Sequence, residues 1–161
     1  MELARVVKDE QVNALCELAR EIWLEYFTDL LPMGQTEYML EKFLSVDAVK
    51  EQMTKNYHFY ILYENNDMIG FISYILKDQE MFVSKLYVKN KFRGQGFGKF
   101  LIKEIKERAK NANRRRITLS VNKKNKAVDF YKKHGFKIYD KVKPDIGQGY
   151  FMDDYLMEFV G

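Results

Sequence analysis

Lys85-Leu86-Tyr87-Val88-Lys89-Asn90-Lys91-Phe92-Arg93-Gly94-Gln95-Gly96-Phe97-Gly98-Lys99 runs from a strand pattern, through three alternate glycines, into a basic helical pattern. Gly94, Gly96 and Gly98 let the backbone turn tightly and let a ligand approach the amides. The first turn of the following helix offers amides without intrahelical partners, and the helix dipole favours negative charge beside them. Arg93 and Lys99 bracket the turn and add to the positive field. A Walker loop is excluded, because Gly98-Lys99 is followed by Phe100 rather than Ser or Thr. The dinucleotide fingerprint is excluded by the Gly94-x-Gly96-x-Gly98 spacing. A plain tight turn and a phosphate cradle both fit the glycines; the strand before and the basic helix after favour the cradle.

Upstream, Leu3 to Val7 suits a first strand. Asp9 is placed to cap a helix whose apolar positions Val12, Leu15, Cys16, Ala19, Ile22, Trp23 and Tyr26 recur at helical spacing. Pro32-Met33-Gly34 interrupts, Thr36 to Phe43 reads as a second helix, and Val46 to Met53 extends it or forms its own turn. From Phe59 the period changes to that of strands. Phe59–Tyr63, a tight turn at Asn65-Asn66-Asp67, Met68–Leu76, a turn at Lys77-Asp78-Gln79 and Met81–Val88 form a meander.

Downstream, Phe97, Leu101, Ile105, Arg108 and Ala112 fall at helical intervals, and Ile117–Val121 is a strand. Asn125 is placed to cap a helix through Ala127, Val128, Phe130 and Tyr131 that stops at Gly135. Phe136–Val142 is a strand, Pro144–Gly149 a glycine-bearing loop, and Phe151–Val160 the last strand. The order β-α-α-β-β-β-α-β-α-β-β defines an α/β fold with a mixed central sheet, in one domain over residues 1–161.

The chain of 161 residues is 47% hydrophobic and 31% charged, which is ordinary for a folded domain. Two prolines far apart, and no Ser/Gly-rich tract, give no support to a disordered linker. Cys16 is alone and sits in an apolar helical pattern, where a buried thiol is expected. One cysteine and two histidines make no zinc site, so no metal is expected. The start MELARVVKDEQ has no signal-peptide pattern and no apolar run reaches membrane-spanning length, so the expectation is a cytoplasmic protein without membrane partners. The net charge of +4 conceals a strong asymmetry. Residues 1–88 have a net charge of −7, residues 89–143 of +15 and residues 144–161 of −4. Such a distribution attracts an anionic ligand to one region and a cationic one to another. Arg114-Arg115-Arg116 lacks interleaved aromatics and no nucleic-acid-binding module is present, so nucleic acid is not the expected partner.

Arg93-Gly94-Gln95-Gly96-Phe97-Gly98 resembles the Arg/Gln-x-x-Gly-x-Gly/Ala signature of the GCN5-related N-acetyltransferases, and Leu119 through Phe136 resembles that family's second signature. The resemblance covers essentially the whole chain and is weakest over residues 8–56. It implies the acyl-coenzyme A N-acyltransferase fold, with a splayed parallel pair formed by Glu80–Val88 and Arg116–Val121. It implies acetyl-coenzyme A as the donor, its pyrophosphate on the amides of Arg93, Gly94, Gln95, Gly96, Phe97, Gly98 and Lys99. It further implies that Leu86 and Val88 bind the pantetheine arm through their backbone, that Asn125 touches that arm, and that Tyr131 protonates the leaving sulfur. Many relatives carry a glutamate base near the position of Ser84; this strand has only Glu80, at its beginning, and Ser84 is suited at most to ordering a water.

For the acceptor, a primary amine with a pKa near 10.4 must lose a proton before it attacks. Glu25 and Tyr26 in the first helix, Glu37 and Tyr38 opening the second, and Asp145 and Tyr150 near the carboxyl end offer carboxylates beside aromatics, which suit a cation. The acceptor reading is a small cationic amine such as a polyamine, with a peptide or protein amine as the alternative. A non-catalytic acyl-coenzyme A-binding protein of the same fold is the rival to an enzyme, and a homodimer is plausible at this size.

Overall fold

A computed structural model describes all residues, Met1–Gly161. In chain order the elements are β1 (Glu2–Arg5), α1 (Asp9–Phe27), α2 (Gln35–Leu44), α3 (Val46–Thr54), β2 (His58–Glu64), β3 (Asp67–Leu76) and β4 (Glu80–Val88). A 3-10 turn, Asn90–Phe92, precedes α4 (Phe97–Asn111), β5 (Arg116–Asn122), α5 (Ala127–Lys133) and β6 (Lys137–Val142). A short hairpin, β7 (Asp145–Gly147) and β8 (Tyr150–Phe151), leads to β9 (Asp154–Val160). Seven strands hydrogen-bond in the order β1-β2-β3-β4-β5-β9-β6, with β4 and β5 parallel and the pairs β1–β2, β2–β3, β5–β9 and β6–β9 antiparallel. This is the mixed α/β sheet expected. No helix is long and apolar enough to cross a membrane.

The chain forms two compact units, and β4 and α4 each begin in one and end in the other. The first comprises Met1–Ile75 and Lys85–Leu101. Its core is Leu15, Leu18 and Ile22 of α1 with Phe59, Ile61 and Leu62 of β2 and Ile69, Phe71 and Ile72 of β3, all essentially without exposure. Each such side chain contributes about 1.5–3 kcal/mol on leaving water. The β2–β3 hairpin turns at Asn65 and Asn66, both at positive φ, as Asn tolerates in a primed hairpin turn. Helix α1 starts differently from the expectation. Lys8 is its N-cap, and Gln11 Oε1 accepts from the Val7 and Lys8 amides at 2.8 Å each. Asp9 falls one residue inside the helix and instead pairs with Lys50 at 3.2 Å. Helix α3 is separate, because Ser45 is extended and its hydroxyl accepts from the Ala48 amide at 3.2 Å.

The second unit comprises Leu76–Ser84 and Ile102–Gly161. Here β4 and β5 register from Glu80↔Arg116 to Val83↔Leu119, and β5 pairs along its whole length with β9, from Arg116↔Val160 to Asn122↔Asp154. Strand alternation then sorts the side chains. Ile117, Leu119, Val121 and Met157 fill the core face. Glu80, Arg116, Thr118, Ser120, Asn122, Asp154 and Glu158 share the opposite face. Helix α5 stops as expected: Gly135 has φ 90°, and the Phe136 amide closes onto the Tyr131 carbonyl at 3.0 Å. The segment Pro144–Gly149 is not a simple loop. Gln148 and Gly149, both at positive φ, turn the β7–β8 hairpin.

Candidate active site

The glycine turn is built on a short 3-10 turn that the alternating glycines concealed in the sequence. Gly94 and Gly96 have φ of 78° and 89°, a region a side chain resists, and a Cβ at either would meet open space. Their glycine requirement is therefore conformational, and the space over the turn is open. Gly98 lies inside α4 and takes no part in the turn's left-handed geometry. The Gly96 carbonyl accepts from the Phe100 amide at 3.0 Å, so the amides of Phe97, Gly98 and Lys99 form the free first turn of α4. Phe97 is buried, edge-on to Phe92, and anchors the turn, while Arg93, Gln95 and Lys99 are exposed.

Helix α1 grips this loop through side chains one helical turn apart. Glu21 pairs with Lys89 at 3.3 Å, and Glu25 Oε2 accepts from the Asn90 amide at 3.2 Å. Arg93 lies 3.8 Å over the Tyr26 ring. Burial raises the Tyr26 hydroxyl above its ordinary pKa, and the adjacent Arg93 and the Val88 backbone amide oppose that rise. Glu25 and Tyr26, expected on an acceptor wall, are thus engaged by the loop expected to take the donor. Tyr87 packs edge-on to Trp23, Tyr26 and Phe27, which fixes the end of β4 between Leu86 and Val88. Gly70 on β3 lets that end come close, since a Cβ there would collide with the Tyr87 carbonyl oxygen.

The remaining acceptor residues of the first unit are also engaged. Glu37 makes a bidentate pair with Arg20 at 2.6 and 2.9 Å, exposed to water. Tyr38 is half-buried and has Lys42 5.9 Å from its ring centre. Lys85 is a residue that sequence reasoning passed over. It continues the buried Met81 and Val83 face of β4, its Nζ lies 3.2 Å from Gln52 Oε1 and 5.4 Å from the Phe59 ring, and burial pushes its pKa down to about 8. The alternation of β4 alone carried that signal.

In the second unit, Asn125 Oδ1 accepts from the Ala127 amide at 2.8 Å, the capping contact expected. Its residue is buried, as is Tyr131, whose ring stands edge-on to Phe130 and Phe136 at 5.6 Å. Phe136 in turn packs on Phe159, which ties α5 to the core face of β9. Glu80 is engaged within the second unit. Its carboxylate is held by Arg116 at 3.2 Å and by the Thr118 hydroxyl, and Arg116 also binds Glu158 at 3.0 Å. Glu80 opens β4, whereas the glycine turn follows its end. Ser84 is half-buried on the same face of β4 as Glu80. Asp145 turns back on its own hairpin, accepting from the Gly147 amide at 2.8 Å, and Tyr150 is half-buried in β8.

A parallel strand pair at the centre of a mixed sheet, one strand running into a glycine turn and helix and the other into an Asn-capped helix bearing Tyr131, defines the acyl-coenzyme A N-acyltransferase class. The family model described as "Acetyltransferase (GNAT) domain" matches residues 8–147, and the chain belongs to that family. With membership go the N-acetyltransferase class and acetyl-coenzyme A as donor. A spermidine N(1)-acetyltransferase of Thermoplasma acidophilum is 27% identical over 143 residues, covering 84% of this chain and 88% of that one. An uncharacterised N-acetyltransferase of Methanocaldococcus jannaschii is 36% identical over 93 residues, 53% of this chain and only 41% of the longer relative. The crystal structure of the PaiA N-acetyltransferase of T. acidophilum with coenzyme A superposes with a TM-score of 0.80 at 23% identity and covers 100% of both chains, a likeness of fold.

Proposed function

We propose that this protein transfers the acetyl group of acetyl-coenzyme A directly to a primary amine of a small, multiply charged cation of the polyamine type. The observation that carries the donor half is the open turn at Gly94 and Gly96, with the free amides of Phe97, Gly98 and Lys99 and the cations Arg93 and Lys99 around it. Those groups match a pyrophosphate in charge and hydrogen-bond polarity. The Leu86 and Val88 backbone would hold the pantetheine arm, and Asn125 would add a contact with its amide hydrogens while its oxygen caps α5. Tyr131 would donate its phenolic proton as charge develops on the sulfur. The likeness to the spermidine enzyme and the net −7 of residues 1–88 support a cationic acceptor. A peptide amine remains the second reading, favoured by Glu37 and Glu25 being engaged within the protein.

Thiol release with acetyl-coenzyme A and a panel of spermidine, a lysine-bearing peptide and an aminoglycoside tests the reading. Spermidine is the expected best substrate by kcat/KM. Tyr131→Phe should lower kcat by about 10- to 1,000-fold with the donor's affinity intact. Faster turnover of the peptide overturns the polyamine assignment, binding of the donor without turnover of any amine marks a non-catalytic binder, and an unchanged kcat in Tyr131→Phe removes the acid.

A further inference from the structure

Trp23 Nε1 and Ser73 Oγ, both in the first unit, are buried side-chain atoms without a hydrogen-bond partner in the chain. A serine hydroxyl rotates to suit its surroundings, and Ser73 faces Phe59 across the β2–β3 ladder. An indole has no such freedom, because its N–H is fixed in the ring plane and can only donate. Trp23 is 4% exposed, so this donor is withdrawn from bulk solvent. A buried donor without a partner is rare in native proteins and calls for a physical explanation.

The place of Trp23 in the unit supplies one. Helix α1 runs beside the chain from Tyr87 to Arg93 and meets it at every step. The Trp23 ring stands edge-on to Tyr87 at 5.7 Å and to Phe27 at 5.5 Å. Glu21 takes Lys89, Glu25 takes the Asn90 amide, and Tyr26 lies under Arg93. The Lys89 amide donates to the Ile69 carbonyl at 2.8 Å, and Gly70 admits the Tyr87 carbonyl, so the end of β4 is held against β3. Trp23 is thus the α1 residue at the start of the path proposed for the donor, which runs from the backbone of Leu86 and Val88 to the glycine turn.

The surroundings select the ligand. Tyr26, Phe27 and Phe71 all pack on Tyr87, so the wall beside Trp23 is aromatic. The carboxylates one helical step to either side, Glu21 and Glu25, are spent on Lys89 and Asn90. A protonated polyamine presents only donors and cannot accept from an indole N–H. The adenosine and pyrophosphate half of coenzyme A is anionic and suits the glycine turn. The pantetheine arm is neutral, has methylenes to lay on aromatic rings, and carries amide carbonyls that accept. An apolar wall with one fixed donor is the lining such an arm requires.

We propose that Trp23 binds the donor, its indole N–H donating a hydrogen bond to a carbonyl oxygen of the pantetheine arm, a role that rests on the acetyl-coenzyme A reading above. The N–H finds its partner only in the complex, so the bond adds to affinity for the arm and contributes nothing to the adenosine end. It also fixes how far the arm advances along β4, because a single in-plane donor admits one carbonyl at one depth. Helix α1 then serves the donor along its whole last turn, with Trp23 on the arm and Glu21, Glu25 and Tyr26 on the loop that takes the pyrophosphate.

Trp23 is the only tryptophan of the chain, so its indole N–H gives a single resonance in a nitrogen-labelled protein. The test follows that resonance while coenzyme A, the adenosine bisphosphate half that lacks the arm, or spermidine is added, with affinities from calorimetry. Coenzyme A should move the indole proton downfield, as a new hydrogen bond does. Saturating adenosine bisphosphate and spermidine should leave it in place. Trp23→Phe keeps a ring against Phe27 and Tyr87 and removes the donor. It should weaken coenzyme A by at least about threefold and leave the bisphosphate's affinity unchanged. An indole resonance that stays put in the saturated coenzyme A complex overturns the proposal. So does one that the bisphosphate or spermidine moves as far as coenzyme A does, or a folded Trp23→Phe protein with full affinity for coenzyme A. If Trp23→Phe does not fold, the wild-type resonance alone decides. A wild type that binds no coenzyme A overturns the acetyl-coenzyme A reading and the role of Trp23 with it.

Discussion

Replacing Lys85 with methionine should make this protein more stable at neutral pH. Lys85 is nearly wholly buried, and desolvation alone lowers it from 10.5 to about 8. At about 1.4 kcal/mol per pH unit, holding the charged form in that site costs about 3 kcal/mol at pH 7. Methionine keeps the straight stem beside Phe59 and removes the charge. It also forfeits the 3.2 Å contact with Gln52 Oε1, worth about 1 kcal/mol. The balance is a gain of about 2 kcal/mol, or about 4–8 °C in Tm for a domain of this size. The pH dependence carries the sign. Between pH 8 and 10.5 the unfolded chain holds a proton on Lys85 that the folded protein has released, so wild-type stability rises across that window. Below about pH 8 both states are protonated and this contribution is flat. Lys85→Met should lack the rise. Urea denaturation from pH 7 to 10 measures both. A variant less stable than wild type at pH 7, or a wild type with no Lys85-dependent rise above pH 8, would refute the reasoning.

Two further expectations concern the first unit. Gly70→Ala should weaken coenzyme A binding by about tenfold or more in calorimetry, because the new methyl group displaces the Tyr87 carbonyl and shifts the strand end between Leu86 and Val88; unchanged affinity would show that this backbone does not hold the donor. Cys16 is half-buried rather than buried as expected, and desolvation still pushes its pKa up to about 11, so it should react with a thiol-specific disulfide reagent at pH 7.5 more slowly than free cysteine does; a rate equal to that of free cysteine would contradict that shift.

Local sequence fixed the elements through periodicity and turn chemistry. The change from helical to strand spacing after residue 58, the Asn65-Asn66 turn and the Gly135 stop each rest on residues adjacent in the chain, and each is where it was expected. The Gly94 and Gly96 turn was legible for the same reason, since positive φ is a property of single residues. The helix start at Lys8 and the β7–β8 hairpin were misplaced because a side-chain cap and a short strand pairing compete with equally plausible local alternatives. What the carboxylates do was decided by tertiary structure alone. Glu80 is held by Arg116 and Thr118, distant in sequence, Glu25 and Glu21 are bound to the loop after β4, and Glu37 is taken by Arg20. Asp154 differs from Asp153 beside it only because strand alternation buries one against Asn122 and Val142 and turns the other to Lys123. The spacing of glycines determines a donor turn by itself. The availability of a carboxylate for chemistry is a sum over partners and lost water, and only the folded chain performs that sum.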